Sequence, residues 1–153
     1  MYAEKLLLEG CFKSIDNRLK STKEILYAED ETGNYVVIDG YAAFRINDMF
    51  NSEVVCKMLH HNIPYGGIGK MFERDDFETV HKICEIESSG RTLVQFDNET
   101  GHECYMDKKY YTIIKKIEKE TINECQFLYS PEGKLFTVRS GYIRIALVLP
   151  VIP

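Results

Sequence analysis

The sequence lacks any apolar run long enough to span a bilayer, and its first residues include acids where a secretory signal needs a basic start. The five cysteines are odd in number and scattered, which does not fit a disulfide framework. We therefore expect a cytoplasmic protein with reduced cysteines and no membrane partner. A net charge of −5 argues against indiscriminate binding to nucleic acid but leaves a local basic face open.

The patterns of common catalytic sites are also missing. There is no G-x-S-x-G nucleophile elbow. Acidic pairs such as Asp75-Asp76 lie in polar runs, where solvation accounts for them. The sequence therefore predicts a protein that is not an enzyme and that needs no cofactor.

Two stretches of the chain are alike, Glu24 to Ile46 and Cys125 to Leu147. In each, an apolar segment ends in Leu-Tyr, polar residues lead to a glycine, a β-prone run follows, and Gly-Tyr opens a third apolar run. A chain of 153 residues is the size of one domain. We therefore interpret it as one unit used twice.

Periodicity predicts the elements of each unit. In the first, residues 2 to 19 have the spacing of an amphipathic helix, and strands are expected at 24 to 28, 35 to 39 and 41 to 46. In the second, strands are expected at 93 to 96 and 103 to 106, followed by a helix from Lys108 to Lys119 with Asp107 as its N-cap. Three more strands follow it, at 124 to 129, 135 to 138 and 142 to 149.

The predicted fold class is thus α+β in a single domain, residues 1 to 153. Two pseudo-repeated units, each a helix plus three antiparallel strands, cover residues 1 to 46 and 92 to 153. A helical insertion at residues 47 to 91 separates them, with helices expected at 49 to 60 and 75 to 86.

The helix predicted from Lys108 to Lys119 carries five lysines on one face. These are Lys108, Lys109, Lys115, Lys116 and Lys119. Glu118 is the only acid within that span, so pairing inside the helix cannot neutralise the face. The face is either simply solvated or a contact for the phosphate backbone of DNA. Lys13 and Lys20 on the first predicted helix are further candidates for the same contact.

A metal site is a second candidate. Cys56 and His60 are four residues apart, and His81 and Cys84 three, so two helices could present four zinc ligands. These pairs match no standard zinc module, and cysteine is often buried without any such role. A zinc-stabilised regulatory protein therefore remains a less favoured alternative, and no metal is expected.

Short motifs give the chain a resemblance to a known family. Ile38 to Phe44, IDGYAAF, resembles the segment T-D-G-[HY]-R-L-A of DNA sliding clamps, the ring-shaped polymerase processivity factors. Val148 to Val151, VLPV, resembles the V-M-P-M ending of bacterial clamps. Cys104 to Lys109 is similar to the strand and helix that open the second half of a clamp domain. Bacterial clamps have three domains in tandem, whereas this chain has the length of one.

The resemblance implies a function and its partners. A single-domain chain would form a homo-oligomer to encircle DNA, with the lysine-bearing helices lining the hole. Clamps also bind peptide motifs of a polymerase or other partner protein in an apolar pocket. The residues that match this pocket are Ile38, Tyr41, Ala43, Leu149 and Val151.

The leading hypothesis is a non-enzymatic, clamp-like DNA-binding or processivity-type protein. The alternative is an adaptor of the same fold that binds protein and does not contact DNA, with residues 47 to 90 as its partner surface.

Overall fold

The computed structural model describes residues 26–30, 33–38, 41–46, 68–98, 100–101, 103–120 and 124–153. These residues form strands and two helices. The strands are β1 (Leu26–Asp30), β2 (Gly33–Ile38), β3 (Ala42–Ile46), β4 (Glu78–Ser88), β5 (Arg91–Asp97), β6 (Glu103–Asp107), β7 (Cys125–Ser130), β8 (Leu135–Ser140) and β9 (Ile143–Val148). The helices are α1 (Ile68–Phe72) and α2 (Lys108–Glu120).

Most of these elements lie where periodicity predicts them. Every strand except β4 overlaps a predicted strand, and the predicted lysine helix is α2. The backbone N–H of Lys109 donates to Oδ1 of Asp107 at 3.0 Å, which confirms Asp107 as the N-cap of α2. Local sequence therefore determines these elements well.

All nine strands belong to one antiparallel sheet, in the order β1-β2-β3-β9-β8-β7-β4-β5-β6. Two meanders, β1 to β3 and β7 to β9, meet where Ala42 of β3 pairs with Val148 of β9. On the other side of β7, the first residues of β4 continue the sheet, and β5 and β6 extend it further. A β-bulge between Lys82 and Cys84 separates the two halves of β4.

The sheet is strongly curled. Two strands lie between β5 and β8 in the sheet, so a flat arrangement would hold β5 and β8 about 14 Å apart. The rings of Phe96 in β5 and Phe136 in β8 have centroids only 5.4 Å apart. Beyond β9, the N–H of Leu149 donates to the carbonyl of Tyr41 at 2.7 Å, and the N–H of Val151 donates to the carbonyl of Tyr105 at 2.9 Å. The chain after β9 therefore reaches the outer edge of β6.

The curled sheet and α2 enclose the main core. Tyr110 and Ile114 of α2 are buried among residues from β3 to β9, including Phe44, Phe96 and Phe136. A second, smaller cluster lies around α1, with Phe72 packed among Ala43, Leu135 and Leu147. Full burial of one such apolar side chain stabilises the fold by about 1.5–3 kcal/mol.

The predicted fold class is wrong. Two units of a helix plus three strands do not describe the chain, because its strands join in one curled antiparallel sheet over which α2 packs. The predicted helix at 75 to 86 is wrong as well, since these residues lie in the segment leading into β4 and in β4 itself. Val80, Ile83 and Ile86 are three residues apart, as in a helix, but in the strand they do not share a face. Val80 is in the main core, Ile83 is 53% exposed at the bulge, and Ile86 lies opposite Leu93.

Other predictions fall on residues outside the described ranges. The helix at 2 to 19, with Lys13 and Lys20, is one of them, and the helix at 49 to 60, with Cys56 and His60, is another. Within the described part, no helix combines the length and apolar character needed to cross a bilayer. Cys84, Cys104 and Cys125 are free thiols.

Candidate nucleic-acid interface

The outer face of α2 is basic, and the inner face anchors the helix. Lys108, Lys109 and Lys119 are exposed, whereas Tyr110 and Ile114 are buried in the core. The aromatic ring of Tyr111 stacks on Phe127 of β7, with centroids 5.4 Å apart. Because the inner face is held in this way, the lysines of the outer face have a defined orientation on the surface.

Two of the lysines form ion pairs. Nζ of Lys108 lies 3.0 Å from Oε1 of Glu85 on β4 and donates to Oε2 at 3.4 Å. This hydrogen bond, opposed by partial burial, lowers the pKa of Glu85. Lys115 donates to Glu118 one turn further on, and this contact raises the pKa of Lys115. Burial alone would raise the pKa of Glu118, but hydrogen bonds from Lys115 and from the N–H of Cys125 lower it on balance. Part of the positive charge is therefore already compensated.

Two further lysines of α2 are exposed, Lys109 and Lys119. Nζ of Lys109 lies 4.9 Å from the ring centroid of Tyr110. Lys119 has no acid within ion-pair distance among the described residues. Lys116 also belongs to α2. Both exposed side chains can reach an external anion, and Lys119 does so without an acid beside it among the described residues.

An open depression of about 430 Å³ lies beside the first turn of α2. Its lining is mainly cationic and hydroxylic and consists of Arg91, Thr92, Asp107, Lys108, Lys109 and Thr112. Asp107, which is largely buried, caps the helix and lies 3.9 Å from Arg91. Sequence periodicity could not reveal Arg91, because it comes from the tip of the β4–β5 hairpin, not from the helix.

The residues expected to bind a partner peptide lie in β2 and β3, in the turn between them and in the segment after β9. Tyr41 is 60% exposed and hydrogen-bonded through its carbonyl to Leu149, which is 37% exposed. Ala43, which lies in β3, is buried and pairs with Leu147. Ile38 lies in β2 opposite Ala42, and Val151 reaches Tyr105. Tyr41 and Leu149 form an exposed apolar pair, whereas Ala43 is unavailable to a ligand.

The helical spacing that suggested a zinc site does not hold for His81 and Cys84. His81 and Cys84 lie on strand β4, on either side of the bulge, and not one turn apart on a helix. Cys84 donates to the side chain of Gln95 at 3.2 Å. In the part of the chain that is described, no three His, Cys, Asp or Glu side chains are grouped to hold a metal ion.

A polar cluster before β4 was missed from the sequence. Arg74 makes two hydrogen bonds to Asp76, at 2.9 and 2.8 Å, and the hydroxyl of Ser130 donates to Asp76 at 2.7 Å. These bonds, first those from Arg74 and then that from Ser130, lower the pKa of Asp76 to about 2. The assignment of Asp76 to a solvated run was therefore wrong, whereas Asp75 is exposed.

This polar cluster has a structural role. Ser130 is fully buried, and its oxygen also accepts the N–H of Gly133 at 2.9 Å. With both its donor and its acceptor engaged, the hydroxyl is not presented to a substrate. The cluster ties the segment before β4 to the turn between β7 and β8. Only the Asp75-Asp76 pair hinted at it in the sequence, because the partners are 54 residues apart.

Comparison of the chain with protein-family models, with curated proteins and with solved structures finds no significant match. The functional argument therefore depends on the residues described above.

Proposed function

We propose that this chain is a non-enzymatic DNA-binding protein that contacts the phosphate backbone through the outer face of α2. The observation that carries the proposal is the exposure of Lys108, Lys109 and Lys119 on a helix whose opposite face is buried, with Arg91 beside its first turn. The chain as a whole has a net charge of −5, so this concentration of positive charge is local.

The dimensions of the face suit a run of phosphates. Eleven residues separate Lys108 from Lys119 in α2, which is about 16 Å along the axis. One strand of duplex DNA presents a phosphate about every 3.4 Å along its axis, so the face spans about five of them. Thr112 lies between the cations and offers a hydroxyl donor to a phosphate oxygen. The hydroxyl of Thr92, beside them, already donates to Glu87.

The ion pairs limit how strongly this face can bind. Glu85 and Glu118 already neutralise Lys108 and Lys115 in part. Binding therefore relies on a few phosphate contacts, without direct reading of bases. We expect weak, sequence-independent association that decreases steeply as salt rises.

A double variant tests the proposal. Lys109→Gln with Lys119→Gln removes two exposed charges from the face without disturbing the buried side of α2. The matched control is Lys70→Gln, another exposed lysine, which lies in α1. Fluorescence anisotropy with a labelled 20-base-pair duplex, measured over a range of salt, gives the slope of log K against log salt.

The double variant should reduce the magnitude of that slope by about 1.8, or about 0.9 for each phosphate that is no longer neutralised, and the control should leave it unchanged. Absence of binding by the wild-type chain at about 20 mM salt would overturn the proposal, as would equal slopes for all three proteins. Light scattering with and without the duplex reports whether binding involves an oligomer of the chain.

A second candidate function is protein binding without DNA contact. The exposed pair Tyr41 and Leu149, together with Ile152 at 93% exposure, favours it. Such residues on the surface suit an apolar anchor of a partner peptide. If this candidate is correct, Tyr41→Ser should weaken capture of a polymerase-derived peptide, whereas the lysine double variant should not.

A further inference from the structure

Strand β4 is longer than the strand beside it. It has 11 residues, but β7 pairs only with Glu78, Thr79 and Val80. From His81 to Ser88, β5 is the only strand paired with β4 within the described part of the chain. Among the described residues, one edge of the distal half of β4 therefore has no neighbouring strand.

The turn at the end of the hairpin determines which residues face that open edge. Ser89 and Gly90 have φ values of 51° and 78° and form a two-residue turn. The closing pair, Ser88 and Arg91, therefore exchanges both backbone hydrogen bonds, and the pairs alternate from there. Glu87 and Glu85 then direct their N–H and C=O groups away from β5.

An independent contact gives the same result. The carbonyl of Tyr105 bonds to Val151, so Tyr105 faces away from β5. Gln95, which lies opposite Tyr105, must then form its backbone hydrogen bonds with β4. The next residue, Val94, must form them with β6. Glu85, which lies opposite Val94, is thus left facing the open edge.

Two glutamates lie beside this edge on one face, and the first is already paired, because Oε1 of Glu85 lies 3.0 Å from Nζ of Lys108 and 3.7 Å from Nζ of Lys82. Glu85 and Glu87 share a face of the strand, because their partners Val94 and Thr92 do. Glu87 accepts the hydroxyl of Thr92 at 2.6 Å and has no described cation within ion-pair distance. The other face carries Ile86, which is half-buried, and the bulge residue Ile83 is 53% exposed.

A second copy of this chain is a poor occupant of the edge. If two β4 strands paired antiparallel beyond the bulge, their outward-facing residues would have to lie opposite one another. In each such register, Glu85 or Glu87 of one copy lies directly opposite Glu85 or Glu87 of the other copy. Like charges at that position are destabilising and are a known protection of sheet edges.

We propose that the open edge of β4 binds an extended segment of a partner protein whose residues alternate between basic and apolar. The segment adds a strand by hydrogen-bonding the N–H and C=O groups of Glu85 and Glu87. Its basic side chains lie opposite these glutamates, and its apolar side chains lie beside Ile86. This site adjoins the outer face of α2, because Glu85 pairs with Lys108, but the hydrogen bonds to the backbone of β4 do not depend on DNA binding.

The test uses two synthetic peptides, Ac-TKVKVKT-NH2 and its acidic counterpart Ac-TEVEVET-NH2, added to the whole chain. Hydrogen exchange measured by NMR reports the protection of the Glu85 and Glu87 amides. The basic peptide should slow exchange at both amides by about tenfold or more, and the acidic peptide should not. No protection at any concentration of basic peptide, or equal protection by both peptides, would refute the proposal.

A proline variant tests whether the backbone of β4 makes the contact. Glu87→Pro removes an N–H that points to the open edge but makes no bond to β5, so the hairpin should persist. Protected amides of Ile86 and Leu93 would verify that it does. Glu87→Gln is the matched control, because it removes the charge and keeps the N–H. Protection of Glu85 by the basic peptide should be lost in the proline variant and reduced in the glutamine variant. Unchanged protection in a proline variant with an intact hairpin would exclude strand addition.

Discussion

The strand β8 and the distal half of β4 differ in burial and in the number of neighbouring strands. In β8, four consecutive residues from Leu135 to Val138 are buried, with Phe136 in the main core and Leu135 in the cluster around α1. From His81 to Ser88, by contrast, no residue of β4 is fully buried. The first strand has neighbours on both edges and both faces covered, whereas the second has a strand on only one edge.

This difference separates the parts of the molecule that maintain the fold from those free to interact. Residues buried on both faces cannot change without loss of packing. An open edge with alternating charges contributes little to the core and can accept substitutions or a partner. Each prediction below tests that separation.

The largest effect is expected in β8. Phe136→Ala removes a fully buried ring whose centroid lies 5.4 Å from that of Phe96 and 4.9 Å from that of Tyr129. The free energy of unfolding should fall by about 3–5 kcal/mol, measured by urea denaturation. Ile83→Ala in β4 is the matched change, and it should cost less than about 1 kcal/mol because that side chain is half exposed. Similar losses for the two variants would contradict the comparison.

A smaller effect is expected at the turn that leads into β8. A Cβ on Gly133 would lie 2.7 Å from Nε of Arg74 and 2.8 Å from Oγ of Ser130, so these groups would have to move. We expect Gly133→Ala to lower the free energy of unfolding by about 1–3 kcal/mol. Adding Arg74→Ala should make the combined loss smaller than the sum of the two single losses. Strict additivity in thermal or urea unfolding would indicate that the two residues do not meet.

The smallest effect concerns the proximal end of β4 and depends on pH. The pKa of Asp76 is about 2 in the folded chain and about 4 in an unfolded one. A carboxyl with a depressed pKa stabilises the fold above its unfolded pKa, and this contribution is lost as pH falls from about 4 to about 2.

Asp76→Asn should therefore be less stable than the wild type at pH 6, and the difference should shrink toward pH 2. Urea unfolding at several pH values measures it. The exposed neighbour provides the control, Asp75→Asn. A difference between Asp76→Asn and the wild type that stays constant from pH 6 to pH 2 would show that the charge of Asp76 is not the source of its contribution.

Local patterns predicted most elements but not their arrangement. Alternation and turn residues located eight strands, and an N-cap with helical spacing located α2. The pairing of β3 with β9 and the curl of the sheet depend on contacts between residues far apart in sequence, which no local pattern encodes. In β4 the bulge interrupts the alternation of the strand, and apolar residues at 80, 83 and 86 have helical spacing, so the sequence predicted a helix at 75 to 86 that is not there.

The candidate site was predictable to a similar degree. The lysine face followed from helical geometry, since a spacing of 100° per residue fixes which side chains share a face. Helical geometry did not reveal that Glu85 partly neutralises this face or that Arg91 extends it, because both residues come from the β4–β5 hairpin. The cluster of Arg74, Asp76 and Ser130 was missed because Ser130 and Asp76 are 54 residues apart in sequence.

The pairing of β3 with β9 also has a kinetic consequence. Ala42 and Val148 are more than a hundred residues apart in sequence, yet they are neighbours in the middle of the sheet. The loop between them must close before this ladder gains any stabilising contact, and that entropy cost slows folding. During synthesis, β3 therefore cannot pair with β9 until more than a hundred further residues have been added. We expect folding on the scale of milliseconds to seconds.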